Sequence, residues 1–389
     1  MRIGFDAKRA FQNNTGLGNY SRTLIQSLCS FYPGNDYFLY APKFTTQFQI
    51  QSHSNAFIVT PTTFPFTFFR SAWRSVAIKN ELIKNNIDLF HGLSHEIPLG
   101  IQHSGVKSVV TIHDLIFERF PKQHSAIDVW IYRKKFKNAC KYADAVIAIS
   151  EQTKTDLVNL YNVPSEKITV CYQSCSSIFN SQISTAEKEK IRTHYKLPSR
   201  FFLSVGSIIE RKNLLTVCKA IHLLKEEMNI PLVVIGNGGK YKKLVLEFLA
   251  KNKITDSVIF LSDTEEAKNQ SGYKNASHFP AIYQMAEALI YPSMFEGFGI
   301  PILEALQSRL PVITSNVSSM PEAGGDAAAY IEPFDYIALA QKMKEITNDL
   351  KLRESMQEKG LFHAQSFTTA LTAAKVMNVY KQLMPAISA

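Results

Sequence analysis

Apolar residues along this chain gather in short runs, and the stretches between them are amphipathic. One series of runs is "RIGFDA" (2–7), "DYFLYAP" (36–42), "SVVTIHD" (108–114), "DAVIAIS" (144–150) and "KITVCYQ" (167–173). A second series is "RFFLSVG" (200–206), "PLVVIGNG" (231–238), "SVIFLSD" (257–263), "EALIYPS" (287–293) and "LPVITSN" (310–316). The runs are too apolar to alternate, so they read as strands covered by helices on both faces. Strands alternating with amphipathic helices predict an α/β protein with parallel sheets. The shared rhythm predicts two doubly wound domains facing each other. Between the series lies a polar stretch, 178–199, expected to be a linker joining a domain over 1–177 to another over 200–370. In such sheets ligands sit beyond the carboxyl ends of the strands.

Bulk properties narrow the class. A chain of 389 residues exceeds the usual size of a single core, so two domains are the default. Hydrophobic content of 46% and a mean hydropathy of -0.07 fit a soluble globular protein. No window reaches the roughly 18 uncharged apolar residues of a spanning helix, and "MRIGF" does not read as a leader, so a cytoplasmic location is expected. The five cysteines, Cys29, Cys140, Cys171, Cys175 and Cys218, are scattered without zinc-finger spacing and read as reduced thiols. A net charge of +10 favours anionic partners, yet no nucleic-acid motif or concentrated basic arm accompanies it. Nucleic acid is therefore not an expected partner.

Four corners carry chemistry. After the first run, Asn13, Asn14, Gly16 and Gly18 form a flexible turn opening a helix. It is either an ordinary βα turn or an anion site at a helix start; the third glycine of the dinucleotide fingerprint is missing. His113 closes "SVVTIHD" at the ligand-facing rim and is either a hydrogen-bonded core histidine or a site residue, with Asp114 orienting it or capping the next segment. After Gly206 a loop presents Glu210, Arg211 and Lys212, and Asn213 is placed to cap the next helix. Adjacent cations beside a helix start suit a diphosphate; the alternative is a solvated turn. In "MFEGFGIPILE", Pro301 marks the first turn of a helix. Glu296 then lies in the preceding loop and Glu304 near the helix start, where the dipole favours a carboxylate. Gly297 and Gly299 would let backbone approach a ligand.

Together these corners resemble glycosyltransferase family 4, retaining enzymes of the GT-B fold, with two Rossmann-like domains facing each other across a cleft. Glu296 and Glu304 have the family's E-x7-E spacing inside "YPSMFEGFGIPILEALQSRLPVITSN". "TIHD", "ADAVIAIS", "FFLSVGSIIERKN" and "SSMPEAGGDAAAYIEPFD" are similar to other family segments, and the likeness spans essentially the whole chain. It implies a nucleotide-sugar donor bound by the second domain, a glycan or lipid-linked acceptor on the first, and a C-terminal helix over 371–389 crossing back to the first domain. Glu304 would bind the ribose hydroxyls and Glu296 the donor-sugar hydroxyls. Backbone at Gly297, Phe298, Gly299 and Ile300, together with Gly206, would hold sugar and phosphate. Arg211 and Lys212 would neutralise the diphosphate as it leaves. His113 would lie near the transferred sugar, and Gly16 and Gly18 would line the phosphate side. The implied catalytic set is thus Glu296, His113, Lys212 and Arg211. With no Asp-x-Asp in the chain, no metal site and no further cofactor are expected.

Two departures qualify the likeness. Ser207 stands where many members have arginine, and "CYQSC", with Gln173 and Ser174, replaces a common Asn-Gly. The "E-x-RKN" and "CYQSC" variants resemble a subgroup that transfers mannose in bacterial surface-polysaccharide synthesis, implying GDP-mannose first and a UDP-hexose second. The same fold could instead serve a sugar-nucleotide epimerase or hydrolase, or a non-catalytic binding protein. Two segments mixing aromatics with cations, 63–84 and 128–143, read either as outer helices of the first domain or as surfaces for an anionic membrane.

Overall fold

The computed structural model describes residues 1–13, 15–45, 48–50, 53–62, 68–69, 72–123 and 125–384. Asn14 of the first corner, and 63–67, 70 and 71 of the first basic-aromatic segment, lie outside the described residues. The chain divides into two units: Met1–Ser174 together with the chain from Thr368 onward, and Cys175–Phe367.

The first unit holds strands β1 (Arg2–Asp6), β2 (Asp36–Tyr40), β3 (Ala56–Val59), β4 (Leu89–Gly92), β5 (Lys107–Ile112), β6 (Ala145–Ala148) and β7 (Ile168–Val170). They form a seven-stranded parallel sheet in the order β3-β2-β1-β4-β5-β6-β7. In register, Ile3 lies opposite Tyr37 on one side and Leu89 on the other. On one face Ile3 and Phe5 pack with Leu24 and Leu28 of the helix Gly16–Phe31. On the other, Tyr40, Val110 and Ile112 pack with Leu82 and Phe136. Both faces are therefore covered, which is why the strands read as continuous apolar runs.

The second unit holds β8 (Phe202–Val205), β9 (Leu232–Ile235), β10 (Val258–Phe260), β11 (Leu289–Tyr291), β12 (Val312–Ser315) and β13 (Ala328–Ile331). Its six-stranded parallel sheet runs β10-β9-β8-β11-β12-β13. Strand order reverses between β1 and β4 in the first sheet and between β8 and β11 in the second. Those reversals are where doubly wound sheets open crevices for ligands.

The structure departs from the sequence reading in places. Strands β3, β4 and β13 were not anticipated. β4 hides a fully buried His91 that hydrogen-bonds Tyr380 Oη at 2.6 Å and Thr111 Oγ1 at 2.8 Å. β3 lies at the sheet edge, with Phe57 exposed. β13, "AAYI", is short and alanine-rich. The stretch 178–199, expected to be a linker, belongs to the second unit and carries the helix Thr185–His194. Ser184 caps that helix by accepting from the Glu187 N–H at 3.2 Å, the serine half of a capping box. The chain returns to the first unit at Thr368 rather than 371, and the helix Thr369–Leu383 packs on Gly16–Phe31.

Candidate donor site

The site of the second unit is assembled at its strand reversal. Beyond β8, Gly206 turns the chain at φ +135°. A Cβ there would stand 3.4 Å from Lys212 Cε, in a backbone region that side chains avoid. The turn Glu210–Lys212 follows, and Asn213, at φ +58°, leads into the helix Leu214–Leu224. Beyond β11 the loop carries Glu296 to Gly299 (φ +113°), where the helix Ile300–Gln307 begins with Pro301 in its first turn.

These two corners lock together through Glu296, which is 7% exposed. Its Oε1 lies 2.8 Å from Arg211 Nη1 and 2.7 Å from Lys212 Nζ. Arg211 also donates to the Phe295 carbonyl, and its own carbonyl accepts from the Met294 N–H at 2.8 Å. Lys212 donates to the Tyr291 hydroxyl and lies 4.5 Å over that ring. Burial alone would raise the Glu296 carboxyl, but Lys212 and Arg211 outweigh it and hold the group down at about 2. Burial lowers Lys212, and the Glu296 charge opposes that pull, so the carboxylate keeps the ammonium charged in a shielded place.

Other residues brace this loop. Ser318 Oγ accepts from the Glu296 N–H at 3.2 Å and donates to the Glu296 carbonyl at 2.8 Å. Ser319 Oγ reaches the Glu296 and Phe298 carbonyls at 3.0 and 2.9 Å. Asn213 does not cap with its side chain as expected; its amide instead donates to the Pro292 carbonyl at 3.2 Å and to the Pro333 carbonyl. It ties the corner to the loop after β13. Gly297 and Phe298 are buried, and Phe298 packs at 5.5 Å on Phe367, while Ile300 is half-buried. Ser207, the departure from the family pattern, lines a hollow with Gly206 and Lys212.

Glu304 stands apart from this cluster. It is the fifth residue of its helix, beyond the first turn, so the dipole does little for it. It is half-buried and accepts from the Tyr283 hydroxyl at 2.7 Å. Burial raises its carboxyl to about 7 against that hydrogen bond and the nearby Lys212.

The remaining expected residues belong to the first unit. Gly16 starts the helix Gly16–Phe31 and is exposed. Gly18 is required by packing, since a Cβ would fall 1.8 Å from the Asn13 carbonyl oxygen. His113, 4% exposed, has both ring nitrogens engaged: Nδ1 with the Gln173 amide at 2.9 Å and Nε2 with the Leu93 carbonyl at 2.9 Å. Burial, helped by His95, lowers it to about 3, so it is a neutral imidazole. Asp114 caps the next segment by accepting from the Ile116 N–H at 3.0 Å. Gln173, Ser318, Ser319 and Tyr283 carry no local sequence signal that announces these partners, although the first three lie inside "CYQSC" and "SSMPEAGGDAAAYIEPFD".

Comparison with known proteins places this geometry. Residues 14–174 match the family described as Glycosyltransferase Family 4, and 186–361 match Glycosyl transferases group 1. Over 298 residues the chain is 28% identical to O-antigen chain mannosyltransferase B of Escherichia coli, covering 76% of this chain and 74% of that one. It is also 28% identical over 237 residues to O-antigen chain mannosyltransferase RfbU of Salmonella typhimurium, covering 61% of this chain and 60% of that relative's length. The Anabaena protein Alr3699/HepE, solved in complex with UDP and glucose, shares the fold at TM-score 0.71 and 14% identity, covering 98% of this chain and 99% of that one. With two Rossmann-like sheets and a family match in each half, the chain belongs to the family 4 type of glycosyltransferases and has the GT-B fold.

Proposed function

We propose that this enzyme moves a hexose, mannose first, from a nucleotide-diphosphate sugar to a hydroxyl of a glycan or lipid-linked acceptor in bacterial surface-polysaccharide synthesis. The observation that carries the reading is the buried Glu296 held between Arg211 and Lys212 at the reversal of the second sheet. Mannose is favoured by the two O-antigen mannosyltransferase relatives, and a nucleoside diphosphate by the UDP held in HepE. GDP-mannose is the first choice and a UDP-hexose the second.

In this reading the acceptor hydroxyl attacks the anomeric carbon from the side on which the diphosphate departs. A new carbon–oxygen bond forms as the sugar–phosphate bond breaks. The hydroxyl proton passes to a diphosphate oxygen, and configuration is retained. Negative charge grows on the leaving group, and fixed cations aimed at it are usually the largest catalytic contribution. Arg211 and Lys212 supply them, with Glu296 balancing their charge. Glu296 stays ionised across the physiological range. It therefore accepts hydrogen bonds from sugar hydroxyls and has no proton to give. His113 shapes the first unit's rim as a neutral, fully engaged ring and moves no proton. Glu304 would accept from the ribose hydroxyls. Transfer is proposed to need no divalent metal, and chelator should leave the rate unchanged.

An anionic membrane is proposed as a peripheral partner. The helix Ala126–Tyr142 buries Val129, Phe136, Ala139 and Cys140 and leaves Ile127 (71%) and Trp130 (56%) exposed beside Lys134 and Lys137. Among the described residues no helix is long and apolar enough to cross a membrane. In the described part of 63–84, Trp73, Ile78 and Leu82 face the core, while Phe68, Phe69, Val76 and Ile83 are exposed.

Glu296→Gln tests the central role. Product formation with intact donor should fall about 100-fold or more; a rate within a few-fold of the unmodified enzyme would refute it.

A further inference from the structure

The first sheet has its own strand reversal, between β1 and β4, and the residues beyond those strands form a charged rim. Asp6, 3% exposed, accepts from Arg74 Nε at 3.0 and 2.9 Å and from Nη2. Arg74 lies in a π-helical turn, Trp73–Ala77, a geometry frequent at functional sites, and its Nη1 reaches Glu96 at 2.9 Å. Glu96, beyond β4, also takes Lys135 at 3.1 Å. Both carboxylates of the rim are thus matched by cations. Asp114, beyond β5, is engaged by the Ile116 N–H.

Lys8 and Arg9 follow β1 as half-buried cations, and among the described residues no carboxylate stands at ion-pair distance from either. Lys8 is lowered by burial and then by Arg74 and Arg9, against a smaller opposing pull from Asp6 and Glu96. His95 and His113, pushed to about 3 by burial, add no charge and cancel none. At the end of β4, Ser94 is 3% exposed, and its hydroxyl has no hydrogen-bond partner. A buried group of this kind calls for an explanation. Beside it His95 holds φ +66°, the kind of strain that clusters at ligand sites. An excess of positive charge, an unspent hydroxyl and a strained backbone thus coincide at one strand reversal.

We propose that Lys8 and Arg9 bind the phosphate or diphosphate of a phosphate-bearing acceptor, with Ser94 offering its hydroxyl from the neighbouring strand end. The assignment rests on the glycosyl-transfer reading above. It adds that the acceptor is anionic and that the first unit holds its anion.

The test is calorimetric titration of the full chain with inorganic pyrophosphate at physiological ionic strength. The unmodified protein should show two sites. Lys8→Gln with Arg9→Gln should weaken one by at least about tenfold, and Lys212→Gln the other. Lys8→Arg should keep the first site, and unchanged melting temperatures would certify the fold of each variant. Two undiminished sites in the Lys8→Gln, Arg9→Gln protein would overturn the proposal, as would a single site in the unmodified protein that only Lys212→Gln removes. The same double variant should hydrolyse donor without acceptor at an unchanged KM. A raised KM would assign the anion to the donor and also overturn the proposal. If instead Lys212→Gln leaves both sites intact, the donor-site reading fails while the Lys8–Arg9 site stands.

Discussion

Glu304→Gln separates what this residue does for binding from what it costs the fold. The Glu304 carboxyl is raised from 4.5 to about 7, chiefly by burial. Each unit of such a shift is worth about 1.4 kcal/mol, so the upper figure for keeping the group ionised is about 3 kcal/mol. The side chain is half-buried, and solvent screening brings this to about 1–2 kcal/mol. Because the folded chain holds this proton more tightly than the unfolded chain, the cost is absent below pH 4.5. It grows as pH rises toward 7 and is complete above it. Glutamine carries no charge, and its amide oxygen can still accept from Tyr283. In guanidinium unfolding, the variant should match the unmodified protein at pH 4 and exceed it by about 1–2 kcal/mol at pH 8. Nucleoside diphosphates should bind the variant more weakly, because a neutral amide with one acceptor oxygen, already taken by Tyr283, replaces a carboxylate with two, whereas inorganic pyrophosphate should bind it equally. In the unmodified enzyme, nucleotide affinity should rise from pH 6 to pH 8 as the carboxylate forms. A stability difference that is the same at both pH values would refute the reasoning.

Three further outcomes follow from the site and its surroundings. Lys212→Met should lower kcat by about 100- to 1,000-fold, the usual effect of removing one charge-stabilising donor, and a loss below tenfold would remove Lys212 from that role. Asn213→Ala breaks the ties to the Pro292 and Pro333 carbonyls and forces alanine to φ +58°, so chemical unfolding should show a loss of about 2–4 kcal/mol; a loss under 1 kcal/mol would mean that the ties are dispensable. Reversing Lys134 and Lys137 to glutamate should reduce sedimentation with phosphatidylglycerol vesicles by at least about tenfold, given about 1 kcal/mol per cation near an anionic surface, and unchanged sedimentation would remove the membrane as partner. Lys135 is left out because it pairs with Glu96.

The parts of the fold legible in the sequence are those in which apolar pattern and burial coincide. Runs such as "PLVVIGNG" and "LPVITSN" contain strands of the second sheet because both of its faces are covered. The pattern failed where a buried strand carries a polar residue whose partner is remote: His91 is satisfied by Tyr380, 289 residues away. It fails also at 178–199, where polarity reads as a linker although Ser184 and Glu187 spell a capping signal. In the site, Arg211, Lys212 and Glu296 could be singled out because each sits at a strand-end corner. Their mutual contact could not, and neither could the Ser318 brace or the Tyr283 bond to Glu304, which close over 22 and 21 residues. His113 shows the limit of reading chemistry from residue type. At a ligand-facing rim it invited a catalytic role, and only its two engaged nitrogens mark it as a packed, neutral ring.

The most direct test of donor binding at the Glu296–Arg211–Lys212 cluster is a thermal-shift panel of GDP-, UDP-, ADP- and dTDP-sugars on the unmodified enzyme and on Lys212→Met. A true donor at 100 times its dissociation constant stabilises the fold by about 2.7 kcal/mol. GDP-mannose should produce such a shift in the unmodified enzyme and little in the variant. If no nucleotide sugar shifts the unmodified enzyme, or if the responding sugar shifts Lys212→Met equally, the account of this site is contradicted.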